Sequence, residues 1–166
     1  MAPDSGSDEV DELVLAWRRE RDDLDLAPVE VFSRISRLAR LLDLARRDAF
    51  TAQSIEPWEF DVLAALRRAG RPYQLSPGQL LKETMVTSGT MTNRIDRLTG
   101  RSFVERSPDP NDRRGVLVGL TSAGKSAVDG AFETLLASER DLLGELTATE
   151  RRQLAELLKR LMQPLR

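Results

Sequence analysis

The sequence predicts a mainly α fold with one β-hairpin set into it, and three observations carry that expectation. Apolar residues recur at helical spacing both before residue 70 and after residue 121. Two shorter helical patterns follow each other within 76–100, the first opened by Ser76, Pro77 and Gln79 in capping-box order. The second opens at Thr87 and Ser88 and places Met91, Ile95 and Leu98 on one stripe. Residues 103–107 and 116–120 then read as short strands, with Val116, Val118 and Leu120 on one alternating face, around a turn-rich stretch at 108–115. Helix, short turn, second helix and β-wing in that order make a winged helix-turn-helix, with N- and C-terminal helices left over to form a dimerisation region.

The elements follow in chain order. Residues 1–8 (MAPDSGSD) read as an acidic, disordered tail. Val10, Leu13, Val14 and Trp17 have helical spacing and predict a helix over 9–22, followed by a connector at 23–28. A longer helix over 28–52 carries Val31, Ile35, Leu38, Leu42 and Ala45 as a near-heptad stripe, with Arg34, Arg37, Arg40 and Arg46 outside it. Residues 9–54 are thus read as an N-terminal helical region. The winged helix-turn-helix occupies 55–121. Within it Pro57 starts a helix that buries Val62, Leu63 and Leu66 and stops at Gly70-Arg71-Pro72. Thr121 caps a long helix with Val128, Phe132, Leu135, Leu136, Leu142 and Leu143 as its stripe. Gly130 inside that helix costs about 1 kcal/mol relative to alanine, which predicts a bend or a close neighbour. Thr147 and Glu150 form a second capping box before a final helix bearing Leu154, Leu157, Leu158, Leu161 and Leu165. That leucine density exceeds what a surface helix needs, so residues 122–166 are expected to bury against a second copy of the chain. Packing of the last helix on the 122–146 helix is the alternative.

Composition removes several function classes. The 166 residues are 40% hydrophobic and 31% charged, ordinary for one globular domain with a core. No apolar run reaches the ~18–20 residues needed to span a bilayer, and the N-terminus lacks a signal-peptide pattern, so no membrane partner and a cytoplasmic location are expected. The chain has no cysteine and no histidine. Disulfides, thiolate nucleophiles and the usual zinc ligands and general base are therefore missing, and neither catalysis, metal nor cofactor is expected. The formal net charge is −2, which argues against indiscriminate polyanion binding. Residues 87–119 invert that balance, with Arg94, Arg97, Arg101, Arg106, Arg113 and Arg114 against Asp96, Glu105, Asp109 and Asp112. A mildly acidic body with a basic reading head suits specific, salt-sensitive binding to double-stranded DNA.

The helix that starts at Thr87 is the part expected to read it. At ~100° per residue, Gly89, Asn93 and Asp96 point away from the apolar stripe, and Thr90, Thr92 and Arg97 lie on its flanks. Small hydrogen-bonding side chains can approach base edges and phosphates closely. Thr87, Ser88, Gly89, Thr90, Thr92 and Asn93 are the expected groove-facing residues, with Arg97 as a phosphate contact.

The sequence resembles the multiple-antibiotic-resistance regulators, the MarR family, through SGTMTNRIDRL at 88–98, VERSPDPNDRRGVLVGLT at 104–121 and PWEFDVLAALRRAG at 57–70. The resemblance runs from about residue 28 to the end, and the DxRR wing is its most specific part. It implies an obligate homodimeric repressor or activator whose DNA affinity a small molecule alters. It also implies that Arg114 enters the minor groove, steered by Asp112, with Arg113 on phosphate. The chain departs from the family in two places: Ser102 stands where a glycine usually ends the recognition helix, and Glu56 where a threonine usually precedes Pro57.

Trp17, Asp61, Arg94 and Arg106 resemble the set that lines the effector pocket in the urate-responsive branch of that family. Chemistry permits it, because an indole can stack on a planar purine anion and a guanidinium can fork onto its oxygens. Arg94 lies only ~60° from the apolar stripe on the helical wheel, turned toward the protein. The expected effector is urate or a related purine, or a phenolic compound. A structural ion network among Asp61, Arg94 and Arg106 is the alternative. For the whole chain the alternatives are a ligand-unresponsive architectural or protein-interaction module and, third, an enzyme.

Overall fold

The structure is a computed structural model that describes residues 6–163, apart from the side chain of Arg113. Residues 1–5 of the expected tail, and Leu165 of the expected final stripe, lie outside the described residues. The chain divides into two compact units, residues 1–44 and 45–166.

In the first unit, helix α1 (Glu9–Glu20) and the N-terminal part of α2 (Ala27–Thr51) share a small apolar cluster of Val10, Val14 and Leu26, with Val29 against it. Asp8, in the stretch expected as a tail, has a defined structural role. Asp8 is the N-cap of α1: one carboxylate oxygen accepts from the backbone N–H of Val10 at 2.8 Å and of Asp11 at 3.0 Å, and the Asp11 carboxylate accepts from the Asp8 N–H. Arg34 on α2 donates to both Asp8 and Asp11, at 2.8 Å and 2.7 Å. Those hydrogen bonds hold the Asp8 carboxyl down at about 2. The Val31 and Leu38 positions of the expected near-heptad stripe stay exposed in the single chain.

The second unit is built around α3 (Pro57–Arg68), whose Phe60, Val62, Leu63, Ala64, Ala65 and Leu66 are all buried. Ala49, Phe50 and Ile55 join that core, and Phe50 stacks on Phe60 with ring centres 4.3 Å apart. Helix α4 (Pro77–Thr84) begins at the Ser76 capping box as expected, and Leu80 is its buried anchor. Helix α5 (Ser88–Gly100) buries Met91, Ile95 and Leu98. The α4–α5 turn runs through Met85, which caps α4 in the left-handed conformation at φ +52°.

The sheet has three antiparallel strands in the order β1-β3-β2: β1 (Gln74–Leu75), β2 (Val104–Asp109) and β3 (Asp112–Leu120). The two-residue β1 was not expected from the sequence. It is too short for an alternation pattern, and it exists because Gln74 and Leu75 pair with Gly119 and Val118. The hairpin strands also reach farther than expected, leaving only Pro110 and Asn111 at the tip. The Asp109 carboxylate accepts from the Asn111 N–H at 2.8 Å and the pairing slips between Pro108 and Asp109, so the turn residues are absorbed into a bulged hairpin end.

Helix α6 (Ser122–Leu142), capped by Thr121, packs Val128, Ala131 and Leu135 on the α3 core. Its first turn lies so close to the start of β2 that a Cβ on Gly124 would fall 2.0 Å from the Phe103 carbonyl oxygen. Gly130 lies against the Gln53 side chain, the close neighbour its position anticipates. The last helix, α7 (Ala148–Met162), has its Thr147–Glu150 capping box in place and none of its residues buried. Among the described residues no helix is long and apolar enough to cross a membrane.

Candidate nucleic-acid interface

The reading face is made by the way α5 starts and ends. Thr87 caps it, accepting from the Thr90 N–H at 3.4 Å, while the Thr87 and Thr90 hydroxyls lie 2.9 Å apart. The Thr92 hydroxyl donates to the Ser88 carbonyl at 3.2 Å. Thr87, Ser88, Gly89, Thr90, Thr92 and Asn93 are all exposed, opposite the buried Met91–Ile95–Leu98 stripe. No neighbour stands within 4 Å of where a Gly89 Cβ would be, so backbone and small polar groups are open along the first two turns.

The far end of α5 closes in a Schellman motif. The Phe103 N–H returns to the Leu98 carbonyl at 3.0 Å and the Ser102 N–H to Thr99 at 2.9 Å. Ser102 itself is left-handed at φ +58°, which accounts for the family's glycine at this place. Gly100, by contrast, is an ordinary last residue of the helix.

Arg101, counted above only as one charge of a basic head, is instead tied inward. It donates to the Glu59 carboxylate and, at 2.6 Å, to the Ser54 carbonyl, and its guanidinium stacks 4.5 Å from the Phe103 ring centre. Glu59 is buried and also accepts from the Glu56 N–H at 2.9 Å. One side-chain pair therefore clamps the start of α3 to the end of α5 and the entry to the wing.

Glu56 and Trp58 are the neighbours of the reading face that sequence reasoning missed. The Trp58 indole N–H donates to the Glu56 carboxylate, and Arg97 reaches the other carboxylate oxygen at 3.0 Å while its guanidinium lies 4.6 Å from the indole centre. Arg94, half-buried as the wheel implies, lies 5.5 Å from the same ring. The indole hydrogen bond, and then the nearby Arg97, hold the Glu56 carboxyl below its ordinary range. The sequence signals were the Glu56 departure from the family pattern and an aromatic residue one place after Pro57.

On the wing, the Asp112 carboxylate accepts from the backbone N–H of Arg114 at 2.9 Å, so the aspartate shapes the turn from which the exposed Arg114 leaves. The Arg113 side chain lies outside the described residues. Arg106 pairs with Asp96 at 2.6 Å and fastens β2 to α5.

The four residues grouped as a ligand set fall into separate settings. Trp17 is in the first unit and half exposed. Asp61 pairs with Arg46 at 3.4 Å, Arg106 with Asp96, and Arg94 sits over Trp58. No ion pair links Asp61, Arg94 and Arg106 among the described residues, so the alternative of a shared ionic network among them is not formed. Asp61 lines a cleft of about 420 Å³ together with Arg46, Arg68, Phe60, Met85 and Phe132.

A sequence model of the MarR family matches residues 53–115, from the approach to α3 through the wing turn. The chain is 38% identical over 152 residues to the HTH-type transcriptional regulator PecS of Dickeya dadantii strain 3937, an alignment covering 92% of each. A crystal structure of a mutant MarR from Escherichia coli complexed with operator DNA aligns with a TM-score of 0.65 at 29% identity, covering 94% of this chain and 99% of that one. BpsR of Bordetella bronchiseptica, whose DNA binding is regulated by 6-hydroxynicotinic acid, aligns with a TM-score of 0.57 at 28% identity, covering 78% and 99%. An exposed, small-residue helix face beside an arginine-bearing wing, in a chain this similar to PecS over nearly its whole length, belongs to the MarR family of transcriptional regulators.

Proposed function

We propose that the protein is a transcriptional repressor that binds a pseudo-palindromic operator as a homodimer and is tuned by a small anionic or aromatic ligand. The observation that carries the DNA reading is the exposed face from Thr87 to Asn93, with no acidic side chain along it. In this reading Ser88, Thr90, Thr92 and Asn93 contact bases and phosphates in the major groove, and Arg114 extends into the flanking minor groove with Arg113 on phosphate. Exposed Leu157, Leu158, Leu161 and Met162 on α7 support burial of that helix against a second copy.

For the effector, the cleft beside Asp61 supports a planar anion. Arg46 and Arg68 offer guanidinium groups, paired with Asp61 and Glu83 of the same cleft so that an anion would compete with those carboxylates, and Phe60 and Phe132 offer apolar faces. Urate, a related purine or a phenolic acid has that chemistry; of the four residues expected to read it, Asp61 lines this cleft, while Arg94 lies over Trp58 and Arg106 pairs with Asp96.

Footprinting on the DNA flanking the gene tests the reading. The protected region should be two-fold symmetric, with half-sites about one duplex turn apart. Arg114→Ala should weaken binding by about 1–3 kcal/mol, the scale of one good groove contact, without changing the oligomeric state. Urate added to the complex should release the DNA, and salicylate serves as the phenolic comparison. An asymmetric footprint, or an Arg114→Ala protein that binds like wild type, would remove the operator model.

A further inference from the structure

We propose that the Glu56 carboxylate and the Trp58 indole hold Arg97 masked from DNA phosphate until the recognition helix is seated, making Glu56 a determinant of discrimination between operator and nonspecific duplex. The inference rests on the DNA-binding reading above and adds residues to it that are not themselves base contacts.

Four observations lead there. Glu56, Trp58 and Arg97 line one open groove with Gly89, Thr90 and Asn93, so the carboxylate stands beside the residues expected to meet DNA. Arg97 is occupied on two sides, by the carboxylate at 3.0 Å and by the indole face at 4.6 Å. The pair is open to water, with side-chain exposures of 53% and 56%, so the contact is weak and breakable. The indole N–H holds Glu56 in place independently of Arg97, so the carboxylate stays at the interface even when the guanidinium leaves.

Phosphate and carboxylate present the same kind of oxygens to a guanidinium, so a correctly placed phosphate exchanges for Glu56 with little change in geometry. A seated helix brings that phosphate to Arg97. A loosely held, nonspecific duplex does not, and then meets an arginine whose charge the carboxylate already neutralises. The Trp58 face keeps the guanidinium flat and in reach during the exchange.

The test is a salt series of anisotropy titrations with two duplexes of equal length, the footprinted site and a shuffled sequence. The proteins are wild type, Glu56→Gln, Arg97→Gln and the double variant. Glutamine keeps an acceptor for the indole and nearly the shape of glutamate, and a thermal melt of each protein reports the fold. Glu56→Gln should bind the shuffled duplex about 3- to 5-fold more tightly at low salt, the upper scale of one surface charge pair. Its slope of log affinity against log salt should steepen by about 0.9, one added phosphate contact. The gain on the footprinted site should be smaller, so the discrimination ratio falls. In the Arg97→Gln background the Glu56→Gln change should have no effect on the slope. An unchanged slope in Glu56→Gln, or an equal gain with and without Arg97, overturns the proposal while leaving the DNA reading intact. A wild-type protein that bound neither duplex would overturn both.

Discussion

Ser102 sits at the position of the α5 exit where the chain must turn left-handed, φ +58°, between the Thr99 and Leu98 returns of the Schellman motif. A side chain there crowds its own carbonyl, at a cost of roughly 1–2 kcal/mol. Glycine relieves it but gains freedom in the unfolded chain, which takes back part of the difference. Ser102→Gly should therefore stabilise the protein by about 0.5–1 kcal/mol, seen as a higher midpoint in denaturant at unchanged slope. A lower midpoint would mean that the serine side chain stabilises the exit. The same scale explains why Glu59 and Arg101 escaped notice. Their charges look like solvated surface in sequence, and only the packing of α3 against α5 buries one and turns the other inward.

Helix α1 has a small core and several exposed ion pairs to α2. Val10 and Val14 are its only buried residues, whereas Asp8, Glu9 and Asp11 all reach Arg34 or Arg37 of α2. The Asp8 carboxyl is held at about 2 from an ordinary 3.8, first by the Arg34 hydrogen bond and then by the Asp11 N–H. A depressed carboxyl stabilises the folded state above its unfolded value and stops doing so as pH falls through its folded value. The Asp8 contribution to holding α1 should thus be complete above about pH 4 and fade between there and about pH 2. Carboxyl-carbon NMR of Asp8 should show a midpoint near the lower figure, and Asp8→Asn should remove the transition. A midpoint near 4 would mean that Arg34 does not hold it in solution. At the same scale, the wing shows why strand limits were hard to read. Asp109 and Asp112 are turn formers in isolation, yet the ladder pairs them with each other.

The whole molecule leaves apolar surface that a single copy does not cover: Val31, Leu38, Leu41 and Leu44 on α2, and Leu157, Leu158, Leu161 and Met162 on α7. Changing Leu157 and Leu161 together to Asp would force unpaired charge into the proposed interface, at a cost of several kcal/mol. Sedimentation should then report monomer or unfolded chain, with symmetric DNA protection lost. A folded, dimeric double variant would move the interface off α7.

By itself the sequence determined what depends on neighbours close along the chain. Among the described residues, helical periodicity marked each of the seven helices within a few residues, capping boxes placed the starts of α4 and α7, and the apolar stripe on α5 dictated which of its residues turn outward. Those are local properties, set by 3.6-residue geometry and by hydrogen bonds within one turn. Tertiary structure decided what depends on residues far apart. It paired β1 with β3, buried Glu59 against Arg101 across 42 positions and brought Glu56, 41 residues away, to Arg97 beside the reading face. It also gave Asp61 and Arg106 different partners, Arg46 and Asp96. A charged side chain is compatible with several partners of opposite sign, and the sequence carries no record of distance. Only the packing of α3, α5 and the wing on one core selects among them.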